Sequence, residues 1–370
     1  MTHAERCNVS ARRPTLAAQA ALLLVLVLAH GCAAAAAQDY RDPNYDYFVA
    51  GDPSAPRASR THLLLALMGG GGSVDSAFRA LAEAAGHGHL VILRAVSDDS
   101  FDPEDRSYGD SFRGKWGPVA SAQTLTFHNR KASADPRVLA ILAGADGIFI
   151  AGGDQANYLR YWKGTPVERA LDAHVRAHRP LGGSSAGLAI LGHYSYTALD
   201  GGSLESKTAL PDPFNPGVTL ESDFLHLPFL GEVITDSHFS QRCRLGRLIV
   251  FVARLNAARG TLRTLGLGID ERTVLLIDQH GTGRLAAGSA GSAWAVRATG
   301  PATRLAPGAP LTLAGVRVTR LDAGSRIDLP QGRVARAGAQ STARIRAGVA
   351  EADALLSPRM LRLVVPPDEP

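Results

Sequence analysis

Short runs of wholly apolar residues alternate along the first half of the chain with segments whose apolar positions recur every three to four residues. "HLLLALM" (62–68), "HLVILRAV" (89–96), "AQTLTFH" (122–128) and "GIFIAGG" (147–153) have the length and β-branched or apolar content of buried strands. Between them, "VDSAFRALAEAAG" (74–86), "DPRVLAILAGA" (135–145) and "PVERALDAHVRAH" (166–178) carry helical periodicity. Strands apolar on both faces, separated by amphipathic helices, predict a parallel sheet covered on both sides, a three-layer αβα fold of the α/β class. Glycine-rich stretches at 69–72, 152–153 and 182–187 fall at predicted carboxyl ends of strands, where ligands sit in such folds.

The pattern divides the chain. Residues 38–60 are polar, rich in Asp, Tyr and Pro, and read as an extended lead-in. Residues 61–280 form the α/β domain. Residues 281–370 are glycine-punctuated, β-like and poor in helix, a β-rich C-terminal extension that either prolongs or flanks the main sheet or forms a small appendage. "SDDSFDPEDRSYGD" (97–110) reads as an acidic loop.

Residues 1–37 have the signature of an export signal. Arg6, Arg12 and Arg13 precede an apolar run at 16–29, and "AAAAAQDY" offers a small-residue cleavage site after Ala37. The run is too short for a good membrane span. Export to the periplasm or medium is expected. Lipid attachment at Cys32 is the alternative, although Ala29 and His30 fit a lipobox poorly. Cys7 and Cys32 lie in this segment, so the mature chain would keep Cys243 alone and no internal disulfide. No clustered Cys or His spacing suggests a metal. The net charge is +5, but acidic residues are interspersed and no basic block stands out, so nucleic-acid binding is not expected.

Candidate chemistry begins at "PLGGSSAGLAIL" (180–191), where Ser185 is central in G-x-S-x-G between a strand and a helix. Small neighbours let the backbone turn sharply, and the Ala186 amide can face a developing oxyanion. The same pattern also suits a packed turn. "ITDSHFSQRCRLGRL" (234–248) supplies His238, and "GLGIDERTVLLID" (266–278) supplies Glu271. Nucleophile, base and orienting carboxylate in that order make a triad, but α/β-hydrolases run serine, acid, histidine, so an ordinary esterase is disfavoured. Taken singly, His238 could be a satisfied buried histidine and Glu271 a salt-bridge partner of Arg272. In "AGGDQANYL" (151–159), Gly153 offers a second oxyanion amide and Gln155 a donor to substrate backbone, whereas Asp154 reads as a helix cap. "MGGGGSVDSAF" (68–78) lacks the G-K-[ST] of a phosphate loop and reads as a tight turn lining the cleft.

"FIAGGDQ", "GGSSAGLAIL", "TDSHFSQRCRLGRL" and "GLGIDERT", in that order over residues 60–280, resemble the cyanophycinases of serine peptidase family S51. The resemblance implies a class I glutamine amidotransferase-like, flavodoxin-like αβα fold, usually homodimeric, with no cofactor and no metal. It also implies hydrolysis of cyanophycin, a polyaspartate carrying arginine on each β-carboxyl, to β-Asp-Arg dipeptides. By position, Ser185 would be nucleophile, His238 base and Glu271 orienting acid, with Gln155, Asp236, Arg242, Arg244 and Arg247 shaping substrate binding. The arginines suit substrate carboxylates, and Asp236 and the acidic loop are candidate partners for substrate guanidiniums. Cys243 lies among arginines that could lower its pKa, though a structural role is preferred. Two positions depart from the usual family pattern: Ser237 stands where many members have Gln, and the elbow reads Gly-Ser-Ser-Ala-Gly-Leu rather than Gly-Thr-Ser-Ala-Gly-Ala. An acidic or isoaspartyl dipeptidase, and an exported binding protein on the same scaffold, are the competing readings.

Overall fold

The computed structural model describes residues 38–97 and 103–352. The proposed signal segment with Cys7, Cys32 and Ala37, part of the acidic stretch, and the chain end lie outside the described residues. The elements of the fold all belong to the compact unit that begins at Asp39.

Five parallel strands form the centre of one sheet, in the spatial order Ser121–Phe127, His89–Ala95, Gly147–Ile150, Leu181–Ser184, Leu64–Met68. Their side chains alternate between two cores. Leu65, Leu67, Val91, Leu93, Ile148 and Ile150 face one, with Leu142, Leu159, Trp162 and Leu171 from the helices on that side. Ala66, Met68, Leu90, Ile92 and Phe149 face the other, with Phe78, Leu81, Phe112 and Trp116. Both faces are therefore dry, which is why the central strands carry apolar residues on both faces instead of in strict alternation. The expected three-layer α/β arrangement is the one observed.

Local chemistry sets the helix starts. Asp135 accepts the Arg137 and Val138 amides at 2.8 and 3.3 Å ahead of Pro136–Gly144. Asp154 accepts the Ala156 amide at 2.9 Å ahead of Gln155–Trp162, the capping role read from the sequence. Gly260, at φ +61°, ends the fifteen-residue helix Leu245–Arg259.

The acidic stretch differs from expectation. Pro103–Arg113 is a helix, not a loop. Asp105 is 2% exposed, pairs with Arg94 of the neighbouring strand and accepts Thr126 Oγ1–H at 2.8 Å. A carboxylate turned into the protein and paired with arginine is unavailable to a substrate guanidinium.

Antiparallel strands extend this sheet on both sides. Tyr45–Gly51 pairs with Ser121–Phe127, and Val274–Asp278 pairs with Leu64–Met68 and leads on to Thr282–Leu285. A second sheet has its own parallel centre, in which Val233–Asp236 lies between Tyr194–Tyr196 and Leu265–Ile269. C-terminal strands Ala293–Ala298, Thr312–Leu321 and Ala339–Arg346 add to it antiparallel. Helix Leu245–Arg259 covers this sheet through Leu248, Ile249 and Val252. Strands after residue 280 thus join both sheets. Among the described residues no helix is long and apolar enough to cross a membrane.

Candidate active site

Ser185, His238 and Glu271 follow the carboxyl ends of strands in two different sheets. Ser185 follows Leu181–Ser184 in the first; His238 and Glu271 follow Val233–Asp236 and Leu265–Ile269 in the second.

Ser185 sits at φ 54°, ψ −113° between its strand and the short helix Ala186–Ala189. Such a conformation costs roughly 1–3 kcal/mol and persists only where the surroundings over-determine it. Here its amide donates to the Met68 carbonyl at 3.1 Å and its carbonyl accepts the Ala189 amide at 3.0 Å. The flanking glycines are required sterically. A Cβ on Gly187 would strike the Ile150 and Ala151 carbonyls, and one on Gly183 would strike the Gly187 carbonyl.

The Ser185 hydroxyl is 2.7 Å from His238 Nε2, and His238 Nδ1 is 2.7 Å from Glu271 Oε1. Glu271 fixes the tautomer: Nδ1 carries the proton that the carboxylate accepts, leaving Nε2 free to accept from Ser185. The His238 side chain is only 9% exposed. Burial pushes its pKa below the ordinary histidine value and the charges of Arg242 and Arg244 push the same way, against the hydrogen bond to Glu271. The imidazole is therefore neutral at neutral pH, as a base must be.

Four consecutive glycines support this pair. The Gly69 carbonyl accepts the His238 amide at 2.9 Å and the Gly70 carbonyl accepts the Arg272 amide at 2.7 Å. A Cβ on Gly70 would lie 2.6 Å from the imidazole, and one on Gly71 2.6 Å from the Glu271 carboxylate. Behind Glu271, buried Asp270 accepts the Ser240 and Ser292 amides and Trp294 Nε1–H, each at 3.0 Å, together with the Ser240 hydroxyl. Gln241 Oε1 accepts the Glu271 amide at 2.9 Å.

A cavity of about 270 Å³ opens in front of Ser185, lined also by Gly153, Gln155, Ala186, Ser237, His238 and Arg242. The Gly153 and Ala186 amides donate to no protein acceptor among the described residues. Ala186 opens a helix, so its amide has no intrahelical partner. Tyr158 Oη donates to the Ala151 and Gly152 carbonyls at 2.8 and 3.0 Å and ties down the 151–153 turn. The Gln155 carboxamide bonds to no protein group among the described residues.

The structure corrects the expectation for Asp236. Asp236 is 3% exposed and does not line the cavity; Arg247 Nε donates to it at 2.8 Å, and Arg247 Nη2 and Arg244 Nη1 reach its other oxygen. Its carboxylate is consumed by protein arginines. Arg247, itself 2% exposed, also donates to Ser203 and to the Leu204 carbonyl and lies over the Tyr196 ring; it borders the cavity with most of its hydrogen-bonding capacity used within the protein. Arg244 reaches the Ser237 carbonyl at 2.8 Å, and burial lowers its pKa to about 10. Arg242 is the exposed member of the three and pairs with no carboxylate among the described residues. Cys243 is shifted opposite to the direction its arginine neighbours suggested: burial and Glu205 raise its pKa. Among the described residues no group of three or more His, Cys, Asp or Glu could hold a metal ion.

Sequence reading missed Asp270, Gln241, Tyr158 and Ser203. Of these only Asp270, next to Glu271, carried a local signal. The glycine run was read as lining a cleft, without its contacts to His238 and Glu271.

Part of the chain is similar to known proteins. Residues 74–212 match the model of Peptidase family S51, a span that includes Ser185 but neither His238 nor Glu271. Cyanophycinase of Trichormus variabilis is 33% identical over 160 residues, 43% of this chain and 48% of that protein. Cyanophycinase of Synechococcus elongatus is 33% identical over 198 residues, 53% of this chain and 56% of that protein. The chain thus spans about half the length of the curated relatives it matches. A peptidase from an acI-B1 Actinobacterium superposes with a TM-score of 0.49 at 16% identity, over 74% of this chain and 99% of that one.

Proposed function

We propose, from kinship with the cyanophycinase-like S51 peptidases, that this chain is an exported serine exopeptidase that hydrolyses cyanophycin to β-Asp-Arg dipeptides. The observation that carries the reading is the continuous Ser185–His238–Glu271 chain, with both links at 2.7 Å. Export rests on the basic-then-apolar pattern of residues 1–37.

Ser185 Oγ attacks the scissile carbonyl while its proton passes to His238 Nε2. The resulting imidazolium keeps its Nδ1–H bond to Glu271, which stabilises the new charge. The tetrahedral oxyanion is held by the Gly153 and Ala186 amides, an interaction made only as the charge develops. His238 then gives the proton to the departing amine as the carbon–nitrogen bond breaks, leaving an ester on Ser185. Water, deprotonated by the same imidazole, attacks that ester; the acid product leaves and the Ser185 hydroxyl is restored. Arg242 pairs with a substrate carboxylate, and Gln155 bonds to substrate backbone.

Ser237 favours a second reading for the substrate. It stands where many members of the family carry Gln, and a shorter side chain changes what the cavity beside His238 accepts. An acidic or isoaspartyl dipeptide is the alternative.

The test is incubation of the mature protein with insoluble cyanophycin, with Ser185→Ala in parallel and the products read by mass spectrometry. β-Asp-Arg from the wild type and a loss of roughly 10⁶-fold in the variant is the expected result. Full activity in Ser185→Ala would refute the mechanism. No dipeptide from a folded wild-type protein that reacts with a serine-directed phosphonate would move the substrate to the alternative.

A further inference from the structure

The cavity in front of Ser185 shares Ser203, Arg242 and Arg244 with a second cavity of about 320 Å³, completed by Glu205, Lys207 and Gln241. Glu205 and Lys207 pair with each other at 2.8 Å, so their charges cancel. Ser203 is held unusually. Its oxygen accepts Arg244 Nη2–H at 2.8 Å and Arg247 Nη1–H at 3.1 Å. A serine hydroxyl has two acceptor lone pairs and one proton. Two guanidiniums occupy the lone pairs, and the proton has no acceptor among the described residues. The group can now only donate, and two cations drawing on its oxygen strengthen that donation. Arg242 lines both cavities and is the guanidinium of the three without a carboxylate partner among the described residues.

Resting on the peptidase reading above, we propose that Ser203 and Arg242 together bind a substrate carboxylate where the two cavities meet, and that Ser203 sets the preference for that acid over its amide. Arg242 supplies charge and Ser203 the oriented proton. A carboxamide there carries no charge and puts an NH₂ donor in place of one acceptor oxygen, facing groups that can only donate, so it loses the charge-assisted part of the interaction.

The test measures binding, so it does not depend on turnover. In the Ser185→Ala background, calorimetry compares N-acetyl-Asp-Asp with its fully amidated counterpart, with and without Ser203→Ala. Loss of a hydrogen bond to a charged group should cut the acid-over-amide preference roughly tenfold. A merely structural role predicts a different sign. Removing Oγ frees one N–H on each of Arg244 and Arg247, which would hold or raise affinity for the carboxylate. Ser203→Thr, which keeps the hydroxyl, should retain the preference and guards against a folding artefact. Equal weakening of both ligands, an unchanged preference, or no binding of either ligand to Ser185→Ala would overturn the proposal. Failure of the wild type to hydrolyse any aspartyl peptide, with the preference intact, would remove the peptidase reading and leave the carboxylate site standing.

Discussion

Gly70→Ala should nearly abolish the proposed peptidase activity while leaving the protein folded. Gly70 adopts φ +87°, and a Cβ there would lie 2.6 Å from His238 Cε1, 2.7 Å from Nε2 and 3.1 Å from Ser185 Cβ. Carbon contacts are comfortable at about 3.5–4.0 Å. The imidazole must therefore retreat by about 1 Å, and it cannot do so while keeping 2.7 Å links on both sides. Misplacement by that much costs roughly 10²-fold in rate. The positive φ adds backbone strain of about 1–3 kcal/mol, which lowers stability as well. Gly72→Ala separates the two effects. Gly72 is also at positive φ, +129°, but its Cβ would meet only the Arg272 side chain, at 3.3 Å and beyond. Both variants should lose a few degrees of Tm, whereas only Gly70→Ala should lose kcat and phosphonate labelling of Ser185, with KM little changed. Wild-type labelling in a folded Gly70→Ala protein would refute the reasoning, as would equal losses of activity in both variants.

Two further outcomes follow from the same geometry. Protonation of His238 removes the base, and its pKa lies below the ordinary value of about 6.5, so kcat/KM should fall on the acid side with an inflection below that pH. Arg242→Gln removes one charge that disfavours the imidazolium and should move the inflection upward; an inflection above 6.5 in the wild type would contradict the assignment. Asp270→Asn turns one acceptor toward the Ser292 amide into a donor and removes a buried charge that holds Ser240 and Trp294. It should cost about 2–4 kcal/mol in urea unfolding and lower activity by loosening Glu271; an unchanged midpoint would rule out that role.

Much of this architecture is legible in the order of residues, and for a local reason. Strands such as His89–Ala95 carry a continuous apolar run, Leu90–Leu93, because both sheet faces are covered, and that leaves a readable signal. The caps at Asp135 and Asp154 act within three residues, so they too can be read directly. The elbow around Ser185 is a matter of backbone sterics, and small residues mark it.

What the order of residues could not decide is which charge is spent on the protein itself. Asp236, Arg244 and Arg247 look like substrate ligands in a motif, yet the fold pairs Asp236 with both arginines, because an unpaired buried charge would be far costlier, and only the arginines border the cavity. The stretch 97–110 is acidic enough to read as solvated loop, but from Pro103 it is helical, and Asp105 turns inward to Arg94 on the adjacent strand. The four glycines after Met68 signal a turn in any setting; only the approach of the second sheet gives Gly70 and Gly71 the side chains of His238 and Glu271 to accommodate. Short-range sterics and hydrophobic period determine elements from sequence alone. The partner of each charge and the purpose of each glycine depend on contacts between distant segments, and those exist only once two sheets meet at their carboxyl ends.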